Sequence, residues 1–138
     1  MTAKEFLKQY EEADKRVQRL NEEYEKELEL IDAVRSTADY DTQPKSRSFR
    51  KTVEDKAIRL ADKARQRTDA RLEAIRIRQE VFDVIDKVKG DEGDVLYQRY
   101  INLRKWEEIC VLMNYSWAGI HKLHRRALEQ IDYILNGA

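Results

Sequence analysis

The chain has 138 residues, of which 39% are charged and 41% hydrophobic, with four glycines, one proline and a formal net charge of zero. That length allows one domain, or a small domain with a helical extension, and argues against two independent cores. The scarcity of glycine and proline and the abundance of Leu, Ala, Glu, Lys and Arg predict an all-α protein.

The zero net charge hides a strong segregation of charge along the chain. Residues 1–43 carry a net charge of −5, whereas residues 44–80 carry +6, so any binding of nucleic acid depends on local basic clusters. The lone Cys110 excludes an internal disulfide, and the sequence has neither a signal-peptide pattern nor the run of roughly 18 apolar residues that a membrane span needs. We expect a soluble, cytoplasmic protein without membrane contact.

Apolar residues spaced by three and four predict a long first helix from about residue 3 to residue 34. They are Leu7, Tyr10, Ala13, Val17, Leu20, Tyr24, Leu28, Ile31 and Val34. Residues 36–48 contain the only proline and many loop-forming polar residues, so this segment is the predicted connection to the next helix.

A second apolar seam predicts another helix, of about 40 residues or roughly 60 Å, that ends near Gly90. Its members are Phe49, Val53, Ala57, Leu60, Ala64, Thr68, Leu72, Ile75, Phe82, Ile85 and Val88. The first helix is acidic and the second basic, which favours an antiparallel coiled-coil hairpin over residues 1–89, although the charges are equally consistent with solvated faces. A two-helix hairpin buries little surface, so we expect a homo-oligomer, most simply a dimer.

The segment from Gly90 to Asp94 predicts the end of the second helix and, with Asp94 as N-cap, the start of a smaller unit at residues 92–138. The spacing of apolar residues predicts three short helices in this unit. Their apolar faces are Val95, Leu96, Tyr100 and Ile101; Trp106, Ile109, Cys110 and Met113; and Ile120, Leu123, Ala127, Ile131 and Ile134.

Only Asn114, Tyr115 and Ser116 separate the last two of these helices. Asparagine adopts the left-handed conformation that ends a helix, and the Ser116 hydroxyl can cap the next one. This chemistry predicts a helix-turn-helix. Tyr115 completes its turn.

The exposed face predicted for the last helix is basic and aromatic, and contains Trp117, Ala118, His121, Lys122 and Arg125. No Asp or Glu occurs between Ile109 and Leu128, as expected of a surface that meets phosphates. We therefore predict that this face binds double-stranded DNA. Trp117 has two interpretations, packing against the core or an apolar contact to a thymine methyl.

The run VLYQRYINLRKWEEICVLMNYSWAGIHKLHRRALEQI resembles region 4 of bacterial sigma factors. The matching positions are Val95-Leu96, Arg99-Tyr100, Glu108-Ile109, Tyr115-Ser116, Ile120 and Arg126-Ala127-Leu128. With the N-terminal run MTAKEFLKQYEEADKRV, the whole chain is similar to small phage and prophage proteins of Gram-positive bacteria, akin to the ArpU and RinA late-gene transcription regulators.

This resemblance implies a transcription regulator of phage late genes in a bacterial host cell, with the last helix in the major groove and possible contact to RNA polymerase. It implies base contacts from Trp117, Ala118, His121 and Lys122, phosphate contacts from Arg125 and Arg126, and further DNA contacts from Arg104 and Lys105. Sigma factors that read a promoter element carry Arg, Glu and Gln on this face, whereas its first two positions here are Trp117 and Ala118, so the same target sequence is not implied. Lys105 replaces a frequent capping serine. Gly119 either permits close approach to DNA or is a tolerated poor helix former.

Other classes of function have weaker support in the sequence. His121 and His124 are spaced as a metal pair, but no Cys or carboxylate shares their face, so we expect no metal and interpret His124 as a partly packed flank. No phosphate-binding loop, catalytic triad or acidic cluster is present, so we expect neither an enzyme nor a cofactor or small-molecule substrate. Two alternatives stay open: a small terminase-like subunit that recognises phage DNA, and a module that binds RNA polymerase without reading bases.

Overall fold

A computed structural model describes residues 1–39 and 46–137, with side chains described for 1–36 and 46–137. Over those ranges the chain is helical and has no strand, which confirms the all-α class. The helices are α1 (Ala3–Asp39), α2 (Arg47–Ile85), α3 (Asp91–Leu96, continued by a π-helical turn, Tyr97–Ile101), α4 (Trp106–Met113) and α5 (Trp117–Asn136). None of these described helices combines the length and apolarity needed to cross a bilayer.

Short polar side chains set the starts of the two long helices. Thr2 Oγ1 accepts a hydrogen bond from the Glu5 amide, and the Glu5 carboxylate accepts one from the Thr2 amide, each at 3.2 Å. This reciprocal pair is a capping box for α1. Ser46 Oγ accepts from the Phe49 amide at 3.1 Å and thereby caps α2.

The connection predicted for residues 36–48 is too long at both ends. Residues 36–39 continue α1, because no glycine or proline interrupts that segment, and residues 47–48 already belong to α2, because Ser46 caps it. Residues 40–45, which include Pro44, lie outside the described residues.

The chain divides into two compact units, and their limits differ from the predicted division into residues 1–89 and 92–138. One unit, here the terminal unit, comprises Met1–Asp14 and Glu73–Ala138, and the other, the middle unit, comprises Lys15–Leu72. The physical reason is the core of the terminal unit, in which both ends of the chain take part. Its buried members are Ala3, Leu7, Val81, Ile85, Val88, Val95, Leu96, Tyr100, Ile101, Ile109, Ile120, Leu123, Ala127 and Ile131.

Within the described part of the middle unit, side chains of α2 contact side chains of α1. Lys63 Nζ donates to the Glu23 carboxylate at 2.7 Å, Arg71 donates to Asn21 Oδ1 at 3.0 Å, and the Arg67 guanidinium lies 3.9 Å from the Tyr24 ring centroid. The basic residues of α2 do contact acidic and polar residues of α1 here, as the charge segregation suggested.

The apolar seam predicted for α2 is wrong in its central part. Leu72 and Ile75 are 61% and 64% exposed, whereas Ala70, Ala74 and Val81 are buried. The sequence offers two apolar stripes on adjacent faces of the same helix, and hydropathy alone favours the larger side chains. The structure instead buries the stripe with two alanines, whose small side chains allow close approach.

The junction between α2 and α3 also differs from the prediction. Asp94 is not the N-cap, because α3 begins three residues earlier at Asp91, after Gly90 with φ 76° and no side-chain cap. Glycine tolerates this backbone conformation at low cost. Gly93, inside α3, is buried so closely that a Cβ there would lie 2.1 Å from the Val88 carbonyl oxygen.

Candidate nucleic-acid interface

The turn between α4 and α5 has the predicted conformation. Asn114 is left-handed, with φ 59° and ψ 49°, and its amide points to the Cys110 and Val111 carbonyls that end α4. Ser116 is extended, and its Oγ accepts from the Gly119 amide at 3.0 Å, which caps α5. The local chemistry of two residues is therefore sufficient to stop one helix and start the next.

The remaining turn residue, Tyr115, links the turn to α3 by a hydrogen bond. Its hydroxyl donates to the carboxylate of Asp91, and this hydrogen bond raises the pKa of Tyr115 above its ordinary value. The sequence does not single out Asp91 as the partner of Tyr115, because the two residues lie 24 positions apart and Asp91 belongs to no recognisable motif.

Gly119 has a local explanation that neither of its two sequence interpretations included. A Cβ at this position would lie 3.0 Å from Ser116 Oγ and 3.4 Å from Tyr115 Cδ1. The missing side chain therefore leaves room for the capping hydroxyl and the aromatic ring of the turn.

The two faces of α5 divide as predicted. Ile120, Leu123, Ala127 and Ile131 are buried. On the opposite side, Ala118, Lys122, Arg125 and Arg126 are exposed, Trp117 is 55% exposed and His121 is half-buried. At about 100° per residue, these six side chains cover one half of the helix surface. We call them the basic face of α5.

Aromatic rings fix the position of His121 within this face. Its imidazole lies between Trp106 and Trp117, with centroid distances of 4.8 Å and 4.6 Å. The Trp117 ring therefore packs on His121 and still presents more than half of its surface to solvent. The ring thus packs against a neighbouring side chain, while its contact to a thymine methyl stays a prediction.

His124 is more deeply buried than predicted. It is 9% exposed, and its Nε2 lies 2.7 Å from the Tyr100 hydroxyl. Burial, followed by the charge of Lys4, lowers the pKa of His124 to about 4, and burial raises the pKa of Tyr100 to about 12. The interpretation as a partly packed flank is therefore wrong, because the ring fills a core position with a hydrogen-bonding partner that the spacing did not reveal.

Lys105 and Arg104 lie just before α4. Lys105 occupies the N-cap position without a side-chain cap, and both side chains are exposed. Arg104 Nε donates to Gln98 at 2.9 Å, and its guanidinium lies 3.9 Å from the Glu108 carboxylate. Arg104 is therefore already engaged within the protein, whereas the ammonium of Lys105 extends into solvent.

Arg99 is a further basic residue near the site that sequence reasoning did not place there. It donates to the Arg104 carbonyl at 2.9 Å, and its guanidinium lies 4.9 Å from the Trp106 ring centroid. The backbone between them is strained, because Leu103 has φ 55°, a conformation that L-residues other than Asn and Asp rarely adopt. No pattern in the sequence signals this reversal.

Across the described ranges, no group of three or more His, Cys, Asp or Glu side chains is placed to hold a metal ion.

Comparisons with known proteins add no assignment: no family model, no curated protein and no solved structure matches this chain.

Proposed function

We propose that the protein is a DNA-binding regulator of transcription that inserts α5 into the major groove of duplex DNA. The observation that carries this proposal is the basic face of α5, which is exposed, free of acidic residues and fixed by the capped turn at Ser116. A side chain that meets phosphates must be exposed and cationic, and Lys122, Arg125 and Arg126 meet both conditions.

The chemistry of each side chain determines which part of the DNA it would contact. Arg125, Arg126 and Lys105 supply charge for phosphates, and Trp117 and His121 offer apolar contact and hydrogen bonding to base edges. Lys122, which the resemblance places at the bases, also supplies a charge that a phosphate accepts. Arg104 contributes less, since binding DNA would require it to release Gln98 or Glu108. Few hydrogen-bonding side chains lie at the start of α5, so affinity depends more on the phosphates than on base reading.

The finer parts of the proposal rest on the resemblance to sigma region 4. They are a region-4-like arrangement of the last three helices and, from the likeness to phage regulators, control of phage late genes in a bacterial cell. Dimerisation through α1 and α2 rests instead on the small surface that a two-helix hairpin buries. The short turn and the buried positions at Ile109, Ile120 and Ala127 are compatible with such a domain.

Duplex binding at several salt concentrations tests the proposal. Lys122→Ala and Arg125→Ala should each weaken binding and reduce the salt slope by about 0.9 per lost phosphate contact. Lys87→Ala and Arg59→Ala, which remove exposed cations elsewhere on the chain, are the matched controls. Wild-type affinity and slope in both test variants would contradict the docking of α5.

A second candidate is a module that binds RNA polymerase without reading bases, and one observation favours it. Val111 is 84% exposed and Leu112 54% exposed near the end of α4, and exposed apolar neighbours of this kind occur at protein interfaces. Capture of polymerase by the wild type but not by Val111→Ser, together with no protection of DNA, would support this candidate over the first.

A further inference from the structure

A pocket of about 170 Å³ lies between the first turns of α1 and the residues around the start of α4. Its volume is well above the ~30 Å³ that one water molecule takes up in the liquid. Lys4, Lys8 and Glu11 line it from α1, and Arg99, Tyr100 and His124 line it from the other side. All of these residues belong to the terminal unit.

The first turns of α1 are held firmly in place on this side of the molecule. The Ala3 amide donates to the Asp132 carboxylate of α5 at 3.1 Å, and the side chains of Ala3 and Leu7 are buried in the core. Lys4 and Lys8 lie one helical turn apart on this anchored segment, so their side chains share one face of α1. Both therefore reach the same pocket. Both are exposed, so a ligand reaches them from solvent.

The charges on the lining are unbalanced. Lys4, Lys8 and Arg99 face a single carboxylate among the described lining residues, Glu11. Arg99 is oriented by its hydrogen bond to the Arg104 carbonyl and by the Trp106 ring. That bond uses one of five N–H donors, and the planar fork of a guanidinium suits oxyanions.

The inner wall of the pocket is neutral and can donate or accept a hydrogen bond. His124 and the Tyr100 hydroxyl lie 2.7 Å apart there. Burial, then the charges of Lys4, His121 and Arg99, lowers the pKa of His124 to about 4. The imidazole is therefore neutral at pH 7, and the cationic surroundings that disfavour its protonation would be offset by a bound anion.

We infer that this pocket binds a phosphate group through Lys4, Lys8 and Arg99. Two ammonium groups and a guanidinium supply several charge-assisted donors, the combination that phosphate oxygens accept best. The phosphate has two chemical sources, a free phosphate ion or monoester and the backbone of a bound nucleic acid. His121 lines the pocket and also belongs to the basic face of α5, so either source would lie beside the proposed DNA interface. The inference does not require the proposed function, because free phosphate can be tested without DNA.

Titration of inorganic phosphate into the full chain tests the pocket directly. Ionic strength is held constant with chloride, and the imidazole resonances of His121 and His124 and the tryptophan fluorescence are recorded. We expect saturable changes, a rise in the pKa of His124, and binding weakened at least about tenfold in the double variant Lys4→Gln/Lys8→Gln. Lys87→Gln, an exposed lysine outside the pocket, should behave as the wild type.

A second arm measures the salt dependence of duplex binding by the same double variant. A slope lowered by about 0.9 to 1.8, without binding of free phosphate, identifies the nucleic-acid backbone as the source. Saturable phosphate binding with an unchanged slope identifies a free phosphate group. Saturable phosphate binding that is equal in the double variant and the wild type, or no change in either arm, overturns the inference. If the wild type binds no duplex, the proposed function fails while the phosphate titration still decides the pocket.

Discussion

The terminal and middle units bury apolar surface to very different extents. The terminal unit has large aliphatic side chains that are almost fully excluded from solvent, among them Leu7, Leu96, Ile109, Ile120, Leu123 and Ile131. In the described part of the middle unit the buried apolar residues are Leu20, Ile31 and Ala70, whereas Leu28, Leu30, Ile58 and Leu72 remain exposed. Since buried apolar area is the main favourable term in folding, stability should concentrate in the unit that carries the basic face of α5. The exposed side chains of the middle unit are the surface that the proposed dimerisation would bury.

The sharpest test of this difference compares two leucines. Leu123→Ala in the terminal unit should lower the free energy of unfolding by about 2–5 kcal/mol, because Leu123 is 2% exposed and its loss leaves a cavity. Leu28→Ala in the middle unit should cost less than about 1 kcal/mol, because Leu28 is 37% exposed and its site is already open to water. Denaturant titration followed by circular dichroism measures both.

The same pair of variants also tests dimerisation through the middle unit. If the cost of Leu28→Ala matched that of Leu123→Ala and grew with protein concentration, Leu28 would be buried between two chains, as expected for a dimer. A similar cost at all concentrations would contradict the contrast between the two units.

The stability of the terminal unit should depend on pH through His124. Because its pKa falls from 6.5 in the unfolded chain to about 4 in the fold, the unfolded state binds more protons between these values. The contribution is fully present above pH 6.5 and is lost as the pH falls towards 4, by up to about 3 kcal/mol. Denaturant titrations at a series of pH values provide the measurement.

Two histidine variants isolate this effect. His124→Gln should flatten the pH dependence over that window and retain a partner for the Tyr100 hydroxyl. His121→Gln, whose ring is half-buried beside two tryptophans, should retain most of the dependence, because burial is a larger cause of the lowered pKa of His124 than the charge of His121. A wild-type stability that does not change between pH 6.5 and 4 would mean that His124 protonates freely in the fold.

Gly93 offers a smaller perturbation of the same unit, through the backbone. Gly93→Ala should cost about 1–3 kcal/mol, because the new Cβ would lie 2.1 Å from the Val88 carbonyl oxygen and the backbone must shift. Asp94→Ala, exposed in the same helix, is the matched control and should change stability by less than about 0.5 kcal/mol. Equal thermal melting temperatures for Gly93→Ala and the wild type would show that α3 can move away from Val88.

These residues also show what the sequence could and could not predict. The conformations of Asn114 and Ser116 and the buried side of α5 follow from side chains within four residues of each other, so local chemistry was sufficient. The Tyr100–His124 hydrogen bond, the proximity of Gly93 to Val88 and the docking of Ala3 on Asp132 depend on tertiary packing. The prediction of the buried face in the centre of α2 was wrong for a different reason. Two apolar stripes lie on adjacent faces of this helix, and only tertiary packing determines that the stripe with Ala70 and Ala74 is buried. The DNA contacts stay a prediction.

The smallest expected effects come from two serine caps with the same chemistry in different units. Ser116 Oγ holds the Gly119 amide at 3.0 Å in the terminal unit, and Ser46 Oγ holds the Phe49 amide at 3.1 Å in the middle unit. Ser116→Ala should lower the free energy of unfolding by about 1 kcal/mol, because the helix it caps is packed into a cooperative core. Ser46→Ala removes an equivalent bond from a helix end with few buried neighbours, so it should speed hydrogen exchange at Phe49 and leave global unfolding nearly unchanged. Ser48→Ala, which removes an exposed hydroxyl near the start of α2, is the control. If both cap variants lowered the free energy of global unfolding equally, the start of α2 would unfold together with the terminal core. The two units would then unfold cooperatively despite their difference in burial.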